Sequence, residues 1–304
     1  MPIPEYQDIG SLNILAQPDT KTLSRKSVIV TGGASGLGKA YAEAFFAAGA
    51  FVTIADYDEV AGKATEAQLS PNAKFVKCDV RSWDDQVAVF EGAIAASPEH
   101  SVDVVVANAG IVGADDMFTL DDPSGPPVKP NLRIVEINLM GTIYTTKLAL
   151  HYFRRQPETA ARDRCLIIKG SVAAYADQPG SPQYNISKWG ARGLFRNLRR
   201  TIWKEGIRVN FVAPWYVRTP ILSQKIIAYL ESKGVKFATV EDCAHAMIQI
   251  AARKEVNGRA LGIVPREEVA EGFVDLAHDD YQEGDFMKGW QEIVLATAQS
   301  IVDL

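Results

Sequence analysis

The sequence predicts an α/β protein built on a doubly wound, mostly parallel sheet of seven strands with helices on both faces. Three observations lead there. Seven short apolar runs alternate with helix-length amphipathic segments between residues 27 and 264. Each run is almost continuously hydrophobic, as strands buried on both faces of a parallel sheet must be. The first run also passes directly into a glycine-rich turn that opens a helix.

The runs are Ser27–Thr31, Phe51–Ala55, Lys74–Cys78, Val102–Ala107, Cys165–Lys169, Arg208–Val212 and Ala260–Val264. Helices are expected between them where stop signals agree. The alanine-rich segment Gly38–Ala48 halts at Gly49, Glu59–Leu69 ends before Ser70-Pro71, and Trp83–Ala96 before Ser97-Pro98. Leu132–Arg155 is long enough to cross the molecule, and Pro182–Glu205 starts on a proline suited to a first helical turn and stops at Gly206. Three regions lie outside this alternation: a polar arm over residues 1–24, a proline-rich loop from Asp121 to Asn131, and an extension over 265–304 with a helix near Met287–Val302. The whole chain, 1–304, reads as one domain. The proline-rich loop suits either a border of the active site or a plain surface connection.

Composition narrows the function classes. A chain of 304 residues with 47% apolar content can bury a full core. Its net charge of -5 argues against a nucleic-acid surface. The basic stretch Ala191–Arg200 is expected to be the solvated face of a helix. Cys78, Cys165 and Cys243 are odd in number and far apart, which suits buried thiols in a reducing compartment. His100, His151, His245 and His278 have no neighbours at metal-ligand spacing, so no metal is expected. No signal-peptide pattern and no bilayer-length apolar run is present, so a soluble cytoplasmic protein is expected.

The glycine-rich turn is a candidate cradle for a dinucleotide. Gly32, Gly36 and Gly38 let backbone approach a pyrophosphate, and the helix N-terminus presents unpaired amides to it. Ser35 and Leu37 lie between these glycines and belong to the same turn. Asp56 ends the second run about twenty residues further on, where a carboxylate accepts hydrogen bonds from adenosine ribose hydroxyls and repels a 2′-phosphate. NAD(H) is therefore favoured over NADP(H), with Lys39 the nearby complication. Asp79 and Val80 follow the third strand, where Asp79 can meet an adenine amine. Asn108, Ala109 and Gly110 follow the fourth, at the strand ends where such sheets bind ligands.

The chemistry is carried by Tyr184 and Lys188, which an i, i+4 spacing puts on one helical face. A phenol ordinarily titrates near ~10; a close ammonium and a nicotinamide cation would bring it toward working pH, so that Tyr184 can take an alcohol proton as hydride leaves. Ser171, just past the fifth strand, can hold the reacting oxygen.

With these residues in place the sequence resembles the short-chain dehydrogenase/reductase family over about residues 25–264. The likeness rests on TGGASGLG at Thr31–Gly38, NAG at Asn108–Gly110, Asn138 in INLMG, Ser171, and YNISK at Tyr184–Lys188. It implies a seven-stranded Rossmann fold and a tetrad of Asn138, Ser171, Tyr184 and Lys188. In that tetrad Tyr184 is the acid/base, Ser171 orients the oxygen, Lys188 also binds the nicotinamide ribose, and Asn138 holds a water in a proton relay. Pro214, Val217 and Thr219 occupy the family's cofactor loop after the sixth strand, but Trp215 stands where glycine is usual. Asp56, the APWYVRTP loop and the long tail make the chain most similar to NAD-dependent members such as 15-hydroxyprostaglandin dehydrogenase and the fungal hydroxyaverantin-type dehydrogenases of secondary metabolism.

Tyr175, Gln178, Trp215 and Tyr216 are expected to border the nicotinamide, with Pro220–Leu230 as a lid. This aromatic surface suits a lipophilic secondary alcohol or ketone, with oxidation as the first direction. Two alternatives stay open: an NADPH-dependent carbonyl reductase, and a non-catalytic nucleotide-binding redox sensor or scaffold. By the same resemblance the two long helices would pair subunits into a homodimer or homotetramer, with Phe153, Phe195 and Trp203 as contact candidates.

Overall fold

The computed structural model describes residues 10–118, 121–157 and 162–302; the first nine residues of the arm and the last two of the extension lie outside them. The strands, in chain order, are β1 (Ser27–Thr31), β2 (Phe51–Asp56), β3 (Ala73–Lys77), β4 (Val104–Ala107), β5 (Arg164–Lys169), β6 (Ile207–Pro214), β7 (Ala260–Ile263) and β8 (Phe273–Asp275). Among the described residues they form one eight-stranded sheet in the order β3-β2-β1-β4-β5-β6-β7-β8. The first seven are parallel, and β8 runs antiparallel to β7. β1 pairs with β2 on one side and β4 on the other, so the strand order reverses there and opens a crevice at the strand ends.

β8 is an addition to the expected seven strands. Only three residues long, with Phe273 buried and Val274 and Asp275 partly so, it carries no strand signature of its own and is held by tertiary contacts. Arg259 is bonded to both carboxylate oxygens of Asp275, at 2.8 and 2.9 Å, and the Leu12 amide of the N-terminal arm donates to the same carboxylate at 2.7 Å. The extension and the arm are thus tied to one sheet edge.

The helices are α1 (Gly36–Ala47), α2 (Glu59–Gln68), α3 (Trp83–Ala96), α4 (Arg133–Val135), α5 (Gly141–Arg155), α6 (Pro182–Leu198), α7 (Gln224–Ser232), α8 (Val240–Ala252) and α9 (Phe286–Val302). Side-chain caps start several: Asp58 accepts from the Ala61 amide, Ser82 from Asp85, and Thr239 from Asp242. Alternation along the strands supplies two cores. Val28 and Val30 of β1 face Tyr41 and Phe45 of α1 and Ile250 of α8. On the other face, Ile29 and Val105 pack with Phe90, Phe153 and Phe195 from α3, α5 and α6.

Three expectations are corrected by this packing. The long helix over 132–155 is interrupted by a π-turn at Glu136–Met140, where Asn138 reaches across to the chain after β4. Phe153 and Phe195 are fully buried in the core and cannot serve as subunit contacts. The apolar side chains that α5 and α6 do expose are Ile143, Ile186 and Trp189. The basic stretch Ala191–Arg200 is no solvated face, because the extension lays two carboxylates over it. Arg192 donates to Asp279 at 2.8 Å and Arg199 to Asp280 at 2.8 Å, with Arg196 and Arg200 adding longer ion pairs.

Candidate active site

A cleft of about 1120 Å³ opens at the strand ends beside the β1/β4 reversal. Its adenosine-like end is walled by Gly32, Ser35, Gly36, Leu37, Gly38, Asp56, Asp79 and Val80, and its middle by Asn108, Ala109 and Gly110. The far end gathers Ser171, Gln178, Tyr184, Pro214, Trp215, Tyr216, Val217 and Thr219. Residues scattered over almost two hundred positions meet here because each follows a strand of the same parallel sheet.

The glycine turn is tightly built. A Cβ on Gly38 would lie 1.9 Å from the Gly32 carbonyl oxygen, and Gly32 itself has φ +64° with a virtual Cβ 2.9 Å from Ala109 Cα. Asn108 braces the turn by donating from Nδ2 to the carbonyls of Thr31 and Gly32, at 2.8 and 3.1 Å. Ser35 caps α1 without a side-chain capping bond, and it lines the cleft with Gly36, Leu37 and Gly38 at the start of the helix.

Asp56 is held in place through two backbone amides: Ala34 donates to Oδ2 at 2.9 Å and Asp58 to Oδ1 at 3.0 Å. The nearby cations are already engaged. Lys39 pairs with Glu43 at 3.8 Å, and Arg81 forks onto Asp79 at 2.6 to 3.1 Å. That pairing holds the Asp79 carboxyl below its usual range, the Arg81 hydrogen bond outweighing partial burial, so Asp79 reaches the cleft already bonded to a guanidinium. A fixed carboxylate beside an open glycine turn fits the ribose and pyrophosphate of a nicotinamide dinucleotide.

At the other end, Ser171 accepts from the Ala173 amide at 3.2 Å, donates to the Pro214 carbonyl at 3.5 Å, and lines the cleft with Tyr184. Tyr184 lies one turn from Lys188, whose Nζ is 5.4 Å from the tyrosine ring centroid. Lys188 is only 2% exposed and does not line the cleft. Burial pushes the Tyr184 hydroxyl above its ordinary value, with the Ser171 hydroxyl opposing. Lys188 is itself pushed down, first by burial and then by a second amine, that of Lys169.

Asn138 sits in the π-turn with its amide committed: Ile111 N donates to Oδ1 at 2.8 Å, and Nδ2 donates to Ile111 O at 2.9 Å. Its side chain holds backbone and does not line the cleft. π-turns of this kind recur at functional sites.

Of the expected substrate residues, Gln178, Trp215 and Tyr216 reach the cleft, and so does the lid through Ile221, Leu222, Ile226 and Tyr229. Trp215, 36% exposed, packs edge-on to Tyr216 at 4.9 Å and donates from Nε1 to the Lys236 carbonyl at 3.0 Å. Tyr175 does not join them. It packs on Phe211 and Arg192, and its hydroxyl donates to Asp279 at 2.7 Å. The loop Asp121–Asn131 contributes no lining residue among those described.

Sequence reading missed Lys169 and Arg133, both of which line the cleft. Lys169 had a signal: it is the one charge within the apolar run Cys165–Lys169. The three cysteines are buried and unpaired, and burial pushes the Cys78 thiol up to about 12. No described helix is long and apolar enough to cross a membrane.

Comparison with known proteins agrees with this geometry. A family model described as short chain dehydrogenase matches residues 26–228. The 5'-hydroxyaverantin dehydrogenase of Dothistroma septosporum is 39% identical, over 88% of this chain and 91% of its own length. The 5'-hydroxyaverantin dehydrogenase of Emericella nidulans is 35% identical over the same shares. An NADP-dependent dehydrogenase of Phoma sp. is 33% identical over 84% of this chain and 79% of its own. Among solved structures, the 3-ketoacyl-(acyl-carrier-protein) reductase from Brucella melitensis, complexed with NADH, superposes with a TM-score of 0.69 at 24% identity, covering 79% of this chain and 97% of that one. At that identity the likeness speaks for the fold.

Proposed function

The chain belongs to the short-chain dehydrogenase family, and from that membership we propose that it transfers hydride between NAD(H) and a lipophilic secondary alcohol or ketone of fungal-type secondary metabolism. One observation carries the reading: Ser171 and Tyr184 line one end of a cleft whose other end holds the fixed carboxylate of Asp56. Relatives named 5'-hydroxyaverantin dehydrogenase support a hydroxylated, lipophilic substrate.

A nicotinamide bound in the cleft supplies the hydride acceptor or donor. The chain's own residues handle the proton and the orientation. Ser171 holds the substrate oxygen beside the Tyr184 hydroxyl, and Tyr184 takes the alcohol proton in oxidation or returns it in reduction. Trp215, Tyr216 and the α7 side chains exclude water around an apolar substrate body. Asp56 selects the unphosphorylated ribose. The exposed Ile143, Ile186 and Trp189 on α5 and α6 support a homodimer or homotetramer built on those helices.

The test is a fluorescence titration with NADH and NADPH, followed by a panel of lipophilic secondary alcohols and ketones. Preferred binding of NADH and NAD-linked oxidation are expected. Preference for NADPH would move the carbonyl-reductase reading ahead. Tight NADH binding with no turnover on any panel member would favour a sensor.

A further inference from the structure

Tyr184, Lys188 and Arg192 follow one another at four-residue steps along α6, so one stripe of the helix carries all three. The first two belong to the candidate reaction. Arg192 lies one turn further on, 8% exposed, and does not line the cleft. Its guanidinium is directed at two other parts of the chain. Nη1 donates to the Ala174 carbonyl at 2.8 Å, in the single 3-10 turn Val172–Ala174 that starts on Ser171. Nε donates to Asp279 Oδ1 at 2.8 Å and Nη2 to the His278 carbonyl at 3.2 Å, both in the segment after β8.

Tyr175 closes the arrangement. Its ring centroid lies 3.8 Å from the Arg192 Cζ, and its hydroxyl donates to Asp279 Oδ2 at 2.7 Å. A circuit results, from Arg192 to Ala174, along the chain to Tyr175, across to Asp279 and back to Arg192. Both oxygens of one carboxylate, on a residue 4% exposed, hold its two ends. A planar guanidinium fork fixes direction as well as distance, which a single ammonium would not. The turn that presents Ser171 is thereby tied to the helix that carries Tyr184.

We propose that Arg192 and Asp279 are positioning residues of this active site: a clamp supplied by the extension, behind the cleft, sets how far the Ser171 hydroxyl stands from the Tyr184 hydroxyl. The catalytic meaning rests on the hydride-transfer reading, but the clamp is a property of the free protein. A misplacement of about 1 Å at a reacting group lowers turnover on the order of a hundred-fold, so residues that touch neither cofactor nor substrate can govern the rate. The extension then has a part in the reaction, although none of its described residues lines the cleft.

The test compares the full chain with Arg192→Lys, which keeps a cation for Asp279 but cannot also hold the Ala174 carbonyl in a fixed fork. Amide hydrogen exchange without cofactor reads the clamp. The Ala174, Tyr175 and Ala176 amides donate to the Ser171 and Val172 carbonyls. In the variant they should exchange about ten-fold faster or more, with β1 and α1 unchanged. Unchanged exchange in that turn overturns the clamp. Turnover with NAD and the lipophilic alcohol panel reads the positioning. The variant's kcat should fall about ten- to a hundred-fold, while NADH affinity stays within about two-fold of wild type. Wild-type kcat beside faster exchange overturns the positioning role, and so does a parallel loss of NADH affinity, which a general loosening of the fold would cause. Arg196, whose Nε stands 3.7 Å from the same Asp279 oxygen, provides the control: Arg196→Ala should keep kcat within about two-fold, and an equal loss there overturns the fork as the cause. Should Arg192→Lys fail to fold, Tyr175→Phe removes only the hydroxyl that ties Asp279 to the turn, and the same two readouts decide. If the wild type turns over no panel member, the hydride-transfer reading fails, and the exchange result still decides the clamp.

Discussion

Asp56 Oδ2 accepts the backbone amide of Ala34 at 2.9 Å, across 22 residues of chain. One carboxylate thereby joins the end of β2 to the glycine turn after β1, and its orientation toward the cleft is fixed before any ligand arrives. Replacing it removes both a charge and a brace. Asp56→Asn is expected to weaken NADH about ten- to a hundred-fold, the usual range for a charge-assisted hydrogen bond, while NADPH binding holds or improves. Parallel fluorescence titrations read the ratio. Equal losses for both nucleotides would leave Asp56 with a purely structural role.

Tyr184→Phe keeps the ring and removes the proton carrier. Turnover should fall about a hundred- to ten-thousand-fold, with NADH affinity little changed. If a variant with intact NADH binding kept wild-type turnover, Tyr184 would not be the acid/base.

Burial raises the Tyr184 hydroxyl above its ordinary value, only partly offset by Ser171. The phenolate that oxidation needs is therefore populated only above that raised value. Alcohol oxidation should climb as pH rises into the alkaline range, and ketone reduction, which needs the phenol, should decline over the same range. Initial rates in both directions across pH check this, and an acid optimum for oxidation would contradict it.

Asp279 is buried beneath α6, where it takes Tyr175 at 2.7 Å and Arg192 at 2.8 Å. Asp279→Ala leaves a buried guanidinium without its partner, which costs about 3–5 kcal/mol. Urea unfolding should show that loss. A change under ~1 kcal/mol would mean that the pair is replaceable by water.

Gly38→Ala puts a methyl group 1.9 Å from the Gly32 carbonyl oxygen. Backbone must shift, at a cost of at least ~1–3 kcal/mol, and the turn that would hold a pyrophosphate opens. Nucleotide binding should be lost before global folding, and retained NADH affinity would show the cradle to be more tolerant than its geometry.

Much of the fold and most of the site were legible because they are written in short-range patterns. Seven strands follow from continuous apolar runs, the glycine turn from its place between a strand and a helix, and the Tyr184–Lys188 face from helical periodicity. Phe153 and Phe195 were misread as contact residues because an amphipathic helix has two apolar neighbours to choose between, core and partner, and periodicity does not say which.

What the sequence by itself determined is therefore the order of the strands along the chain, the glycine turn between β1 and α1, and the helix that carries Tyr184 and Lys188 one turn apart. Only the tertiary structure decided the eighth strand, the withdrawal of Tyr175 onto Asp279, and the burial of the basic stretch beneath the extension. Each of these depends on polar or charged groups that meet from different elements, 16 residues apart for Arg259 and Asp275 and 104 for Tyr175 and Asp279. Such pairings leave no periodic mark, since a lone Asp or Lys looks the same in sequence whether it meets water or a buried partner, and only the folded chain brings that partner into reach.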